Sequence, residues 1–173
     1  MRTLMVTGLL LLVGCGMGKP DIVAESGKEM RFGDLGVTVT GARVMSFRSI
    51  RPSGGELVHG SELCVGITFK NYDTTRIAHA QSQIGHCSLT DDVGNKYSLV
   101  TAKTDAGFRA AIQGQIPQDM EIDVRSEMTG QDLLVFSKPV EGASSVTLTL
   151  DASRYGGQGL IKVTFPKSMY KPF

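Results

Sequence analysis

No apolar run in the chain is long enough to cross a bilayer as a helix. The longest, Leu4 to Gly14, has eleven residues, whereas spanning hydrocarbon takes ~20. Neither sign of charge dominates: 18 basic side chains face 17 acidic ones with no basic block, so nothing steers the chain toward nucleic acid or anionic lipid headgroups. No nucleic-acid partner is expected. Catalytic signatures are missing as well, with neither a Gly-x-Ser-x-Gly elbow nor a His-Glu-x-x-His helix in the sequence. "HGSE" at His59 to Glu62 puts histidine and serine together, but adjacency in a turn does not aim a base at a nucleophile. "YGGQG" is rich in glycine but lacks the following helix and lysine of a phosphate cradle. Neither enzymatic activity nor a cofactor is expected.

The short apolar run has another reading. Arg2, an apolar centre at Leu9 to Val13 and small residues before a cut give the three-part layout of a secretory signal, which is excluded from the fold. The run ends in Leu12, Val13, Gly14 and Cys15, which resembles the lipobox of bacterial lipoproteins. The resemblance implies that residues 1–14 are a signal peptide and that the Cys15 sulfur receives a diacylglycerol. Each buried acyl CH₂ contributes ~0.8 kcal/mol, so several chains hold a soluble domain on a membrane without spanning it. Gly16 follows where lipoproteins retained in the inner membrane often have aspartate; the resemblance therefore favours the outer membrane. Residues 15–28, with glycines, Pro20 and mixed polarity, read as a flexible tether. Residues 29–173 then form one domain, a length that buries nearly 70% of the unfolded surface.

That domain is written in period two. "SELCVGITFKN" sets Leu63, Val65, Ile67 and Phe69 on one face; "SSVTLTLD" does the same with Val146, Leu148 and Leu150, and "GLIKVTFP" with Ile161, Val163 and Phe165. "QDMEIDVRSEM" alternates Met120, Ile122, Val124 and Met128 against charged residues. This is the pattern of half-buried strands. In "LGVTVTGARVMSF", Val44 falls out of phase with Val37 and Val39, so a bulge near Gly41 is expected. "DLLVF" at Asp132 to Phe136 is apolar without alternation and reads as a central strand covered on both sides. "TAKTDAGFRAAIQGQ" is the best helix candidate, weakened by its glycines and threonines. Turn-rich pieces such as "RPSGGE", "DDVGNK" and "KPVEGAS" separate these segments, which favours a β-sandwich.

The order of "VTVTGARV", "LCVGITFKN", "CSLTDDVGNKY", "DLLVFSKPVEGAS" and "YGGQGLIKVTFP" resembles a group of secreted bacterial domains of unknown function. In that group a strand ending in Lys-Asn precedes a Leu-x-Asp-x-x-Gly-Asn-x-Tyr hairpin, matched here by Leu89, Asp91, Gly94, Asn95 and Tyr97. The resemblance covers roughly Arg31 to Met169 and implies an all-β, immunoglobulin-like antiparallel β-sandwich of about 7–9 strands. One position departs: relatives have Pro-Gly in the turn before "LLVF", and this chain has Ser126-Glu127.

Few residues in the domain carry chemistry. Asp91 and Asp92 offer hard oxygen ligands for calcium, but the alternating donors and distal glutamate of an EF-hand loop are missing, so a plain hairpin is favoured. Cys64 and Cys87 make an even pair in an oxidising compartment, and a disulfide would close 23 positions, worth ~3 kcal/mol. Cys87 shares the inward face of Leu89 while Cys64 alternates away from Leu63 and Val65. A disulfide and two separate thiols both remain open. His79, His86 and Cys87 are the one metal-like grouping, suited to zinc or copper, although neighbours in a strand point to opposite faces. The expected role is a lipid-anchored, non-enzymatic binding domain. Its partners are the bilayer, through acylated Cys15, and an envelope protein, peptide or glycan. The alternatives are an envelope accessory domain without a discrete ligand and a metal-handling lipoprotein.

Cys15→Ala is expected to leave the protein unacylated and move it out of the membrane fraction on ultracentrifugation; unchanged fractionation excludes anchoring through this thiol.

Overall fold

The computed structural model describes residues 21–50, 57–100 and 120–170, with backbone alone for 47–50 and 57–59. The strands in chain order are β1 (Ile22–Ala24), β2 (Glu29–Phe32), β3 (Leu35–Ile50), β4 (Leu57–Asn71), β5 (Ala78–Gln81), β6 (Ser88–Asp91), β7 (Lys96–Tyr97), β8 (Glu121–Val124), β9 (Thr129–Ser137), β10 (Ser145–Asp151) and β11 (Leu160–Pro166). A turn of 3-10 helix, Ala152–Tyr155, follows β10, and a turn of α-helix, Lys167–Tyr170, follows β11. One sheet has the order β1-β11-β10-β6-β7 and a second β2-β3-β4-β9, while β5 and β8 pair separately. The chain is an all-β, immunoglobulin-like sandwich, as its sequence pattern implies.

The core follows from the alternation. Leu63, Val65, Ile67 and Phe69 from β4 are buried against Val146, Leu148, Leu150, Ile161, Val163 and Phe165 from β10 and β11. Burying each such side chain is worth ~1.5–3 kcal/mol, so the two sheets hold together through these faces. Tyr155 closes one end, its ring 5.5 Å from that of Phe69 and 6.2 Å from that of Phe32. Gly157 lies so close that a Cβ there would come within 2.5 Å of the Phe32 ring, which explains one glycine of "YGGQG" without any phosphate. The phase change in β3 is a bulge, because the register against β4 shifts between Val39 and Gly41. Val37 and Val39 before it and Ala42 and Val44 after it are therefore all buried.

Four expectations need correction. The described residues hold eleven strands, several of them very short, and β1 pairs with β11 in parallel, so the sandwich is not wholly antiparallel. That pairing also shortens the tether: Ile22 and Ala24 pack on the core and Gly27 donates to the Val39 carbonyl at 2.8 Å, so ordered structure begins before residue 29. The strand at "EIDV" ends at Val124, leaving Met120 and Met128 exposed instead of inward. "DLLVF" is covered on both faces but belongs to β9, the last strand of its sheet. Its edge is taken up by Ser98 to Val100, through Val100 N to Val135 O at 2.7 Å and Ser137 N to Ser98 O at 3.0 Å, which protects an otherwise open strand edge. The helix candidate at 101–115 lies outside the described residues.

The Ser126-Glu127 departure keeps the backbone of the turn that Pro-Gly would make. Met128 N donates to Arg125 O at 3.0 Å, and Glu127 has φ 60°, the one non-glycine residue with positive φ among the described residues. A non-glycine residue costs ~1–2 kcal/mol in this region, whereas glycine's greater freedom when unfolded costs ~0.5–1 kcal/mol. Glu127→Gly should therefore stabilise the fold by about 0.5–1 kcal/mol. The expected sign is a higher urea midpoint at unchanged slope; a lower midpoint contradicts the strain.

Candidate functional site

One buried amide organises the end of the sandwich where polar side chains gather. Asn71, 1% exposed, closes β4. Its Nδ2 donates to the carbonyl oxygens of Arg76 at 2.7 Å and Val124 at 2.8 Å, and its Oδ1 accepts from Asp73 N at 2.9 Å. Asp73 Oδ1 in turn accepts from Thr75 N, Arg76 N and Thr75 Oγ1 at 2.7–2.9 Å, and these bonds hold its carboxyl below the usual range. The loop from Tyr72 to Ile77 is thus fixed at both ends before β5 starts.

β5 then pairs with β8, with Ala78 opposite Val124, His79 opposite Asp123, Ala80 opposite Ile122 and Gln81 opposite Glu121. Period two turns Ala80 and Val124 inward and leaves His79, Glu121 and Asp123 exposed on one face. His79 Nδ1 lies 2.9 Å from Asp123 Oδ1 and 3.3 Å from Glu121 Oε1. Beside this face lies a cleft of about 290 Å³ whose floor is Phe32, Leu35 and Tyr155 and whose polar rim includes Asp34, Arg76 and His79. Ile77, 48% exposed, stands at its edge. An apolar floor with a few convergent polar groups is the usual make-up of a ligand pocket, and the volume falls just below the ~300–1,000 Å³ range of such sites.

The residues singled out from sequence do not assemble into one site. Cys15 lies outside the described residues. Cys64 and Cys87 are both free, which corrects the disulfide alternative. Cys64 belongs to a small cluster with Val100 and Val135 on the outer face of β4 and β9, whereas Cys87 packs against the main core. Burial, reinforced by the Glu62 carboxylate, pushes the Cys64 thiol up to about 11. Burial, reinforced by Asp132, pushes Cys87 up to about 12. Neither is a thiolate near neutral pH, so neither is an activated nucleophile or a ready metal ligand. The grouping of His79, His86 and Cys87 is likewise corrected: His86 Nε2 sits 3.3 Å from Arg154 Nη1, and among the described residues His79 groups instead with Glu121 and Asp123. Sequence reading placed both carboxylates on the wet face of a strand; that this face meets His79 depends on pairing across 44 positions, for which no local signal exists.

Asp91 and Asp92 are hairpin clamps. Asp91 accepts from Tyr97 OH at 2.6 Å, Asn95 Nδ2 at 2.7 Å, Asn95 N at 2.8 Å and Val93 N at 3.1 Å, and Gly94 takes the positive φ of 94° at the tip. Asp92 accepts from Ser144 N at 3.0 Å and from the Ser144 hydroxyl, tying the hairpin to the start of β10. Protein donors therefore already use these oxygens, and the plain hairpin stands. Burial raises the Asp91 pKa, but the four donors outweigh it and hold the carboxyl at about 2.

No protein-family model matches the chain, and no curated protein matches it. Solved structures do show similarity. The yjhA protein of Bacillus subtilis has 15% identity over 80% of this chain and 98% of its own, at a TM-score of 0.50. An uncharacterized β-sandwich protein of Clostridium difficile has 12% identity over 87% and 97%, at 0.47. The secreted protein MPT63 of Mycobacterium tuberculosis has 12% identity over 85% and 98%, at 0.46. At 15% identity the likeness to the yjhA protein is one of fold alone.

A carboxyl held at about 2 when folded and at ~3.9 when unfolded stabilises the fold above the unfolded value and loses that contribution as pH falls through 2. Asp91→Asn should therefore lower the urea midpoint at pH 7, with the gap to wild type narrowing from about pH 5 to pH 2. A gap that stays constant across this range removes Asp91 ionisation from the hairpin's stability.

Proposed function

We propose that the chain is an extracytoplasmic lipoprotein, held to the outer membrane by acylated Cys15, whose sandwich is a non-enzymatic binding domain with its ligand surface at the cleft beside β5. The observation that carries this reading is the cleft itself: an apolar floor of Phe32, Leu35 and Tyr155 under a rim of charged and imidazole groups. Its walls are preorganised by Asn71 and Asp73, whose hydrogen bonds fix the intervening loop. A site that has to receive a ligand without reshaping loses less entropy on binding. The chemistry of the described side chains favours binding over catalysis. The free thiols are held protonated, and His79 contacts two carboxylates instead of a nucleophile. The occupant matching such a cleft is a peptide or glycan segment of an envelope component, small enough to lie on Phe32 and polar enough to meet Asp34 and Arg76.

Seven Cα steps separate Cys15 from Ile22, so the sandwich works within about 25 Å of its anchor. That proximity limits partners to those at the same membrane surface.

A photo-crosslinking residue placed at Ile77 in the full-length protein in cells should yield a discrete adduct. The same residue at Val93, a more accessible position on the β6-β7 hairpin at 70% exposed, should not. Equal labelling at both positions, or none at Ile77, favours an accessory domain without a discrete ligand.

A further inference from the structure

The β5-β8 register brings three potential metal ligands to one point on the surface. His79 Nδ1 stands 2.9 Å from Asp123 Oδ1 and 3.3 Å from Glu121 Oε1, and all three atoms lie within 4.8 Å of one another. Carboxylates only accept hydrogen bonds, so the shared proton resides on Nδ1. Three electron-pair donors thus converge on a position now served by one N–H. In a tetrahedral site with bonds of ~2.0–2.1 Å, neighbouring ligand atoms stand ~3.3–3.4 Å apart. The two His79 contacts match that spacing after lengthening by at most ~0.5 Å, and all three side chains are more than half exposed and free to adjust. Both carboxylates lie within ion-pair distance of the same imidazole. Two carboxylates two positions apart on one strand face therefore share a single imidazole, an arrangement that a divalent cation neutralises better than one proton does.

We propose that His79, Glu121 and Asp123 bind one first-row divalent cation, zinc by preference, at the surface of the β5-β8 pair. One imidazole and two carboxylates suit such an ion, whereas calcium needs 6–8 oxygens at ~2.3–2.6 Å, more than this face supplies. Three protein ligands leave the fourth tetrahedral position open to water or to an external donor group. On binding, Nδ1 gives up its proton, to Nε2 when the ring is neutral and to solvent when it is imidazolium, so affinity falls as pH falls. The site goes beyond the cleft reading and stands without it, because its ligands are complete whether or not the cleft is filled.

The test is a zinc titration of the full-length acylated protein in detergent micelles, in competition with a chromophoric chelator. Wild type is expected to take up one ion per chain at this site and to melt at higher temperature with zinc than without. His79→Gln, Glu121→Gln and Asp123→Asn should each weaken binding at least about tenfold and reduce the zinc-dependent rise in melting temperature. His86→Gln should change neither. Because three exposed positions are varied separately and each variant's melting temperature without zinc is recorded, loss of the fold is distinguished from loss of the site. Wild-type affinity no greater than that of His79→Gln, or an equal loss in His86→Gln, overturns the assignment.

Discussion

The constraint on which the β5-β8 end of this sandwich depends is the burial of the Asn71 side chain. A carboxamide that is 1% exposed must satisfy its donors internally, and it does so with the carbonyls of Arg76 and Val124. Those two carbonyls belong to the loop before β5 and to the last residue of β8, so one side chain sets the distance between the two strands of the small pair. Its backbone N–H adds a bond of 3.1 Å to Met128 O in the turn before β9. Losing such an amide would strand the buried carbonyl of Val124, at a cost of ~1–3 kcal/mol, and leave the partly buried carbonyl of Arg76 to water. No aliphatic residue offers a substitute, because the groups to be satisfied are main-chain carbonyls that cannot mutate away.

From this anchor the rest follows in order. The sheets hold together through aliphatic faces that need only alternation, and Tyr155 seals the end next to Asn71 with its ring on Phe69 and Phe32. The cleft is the gap left where that seal meets the fixed loop. It is built from core aromatics below and loop polar groups above, so its floor is as rigid as the core and its chemistry is decided by a short surface segment. The opposite arrangement holds at the outer face of β4 and β9. There Cys64 is covered by Val100 and Val135 and its thiol is held protonated, and the surface is closed instead of presented.

What could be read in advance was whatever depends on nearest neighbours in sequence. Alternation in β4, β10 and β11 predicted inward residues that are all buried, the phase change around Gly41 predicted a bulge, and Gly94-Asn95 predicted a hairpin tip. Features that depend on distant pairing were not legible. The parallel contact of Ile22–Ala24 with β11 looked like tether because a three-residue strand has no pattern of its own. The run "DLLVF" looked central because two-sided cover is the same signal whether neighbours come from the sheet or, as here, from a stretch at Ser98–Val100 laid along its edge. The Lys-Asn ending of β4 was visible as a fold signature, yet nothing local shows that the asparagine reaches Val124 across 53 positions. For the same reason His79 was grouped with its sequence neighbours His86 and Cys87 instead of with its partners in space.

The surface triad and the core beneath it obey a single rule. In the β5-β8 pair, Ala80 and Val124 face the core and His79, Glu121 and Asp123 face water. A slip of one residue in this register would exchange the two sets, burying two carboxylates and exposing the apolar face. Burying even one unpaired carboxylate costs several kcal/mol, far more than the pair's few hydrogen bonds return. The packing of small apolar residues on one side therefore fixes the geometry of the polar residues on the other, although those polar residues add little to stability themselves. Exposed substitutions usually fall within about ±0.5 kcal/mol, so the identity of the three surface residues is not dictated by folding. A histidine and two carboxylates on a face where the fold would accept almost any polar residue are therefore free to serve a purpose other than stability, such as the cation binding proposed above.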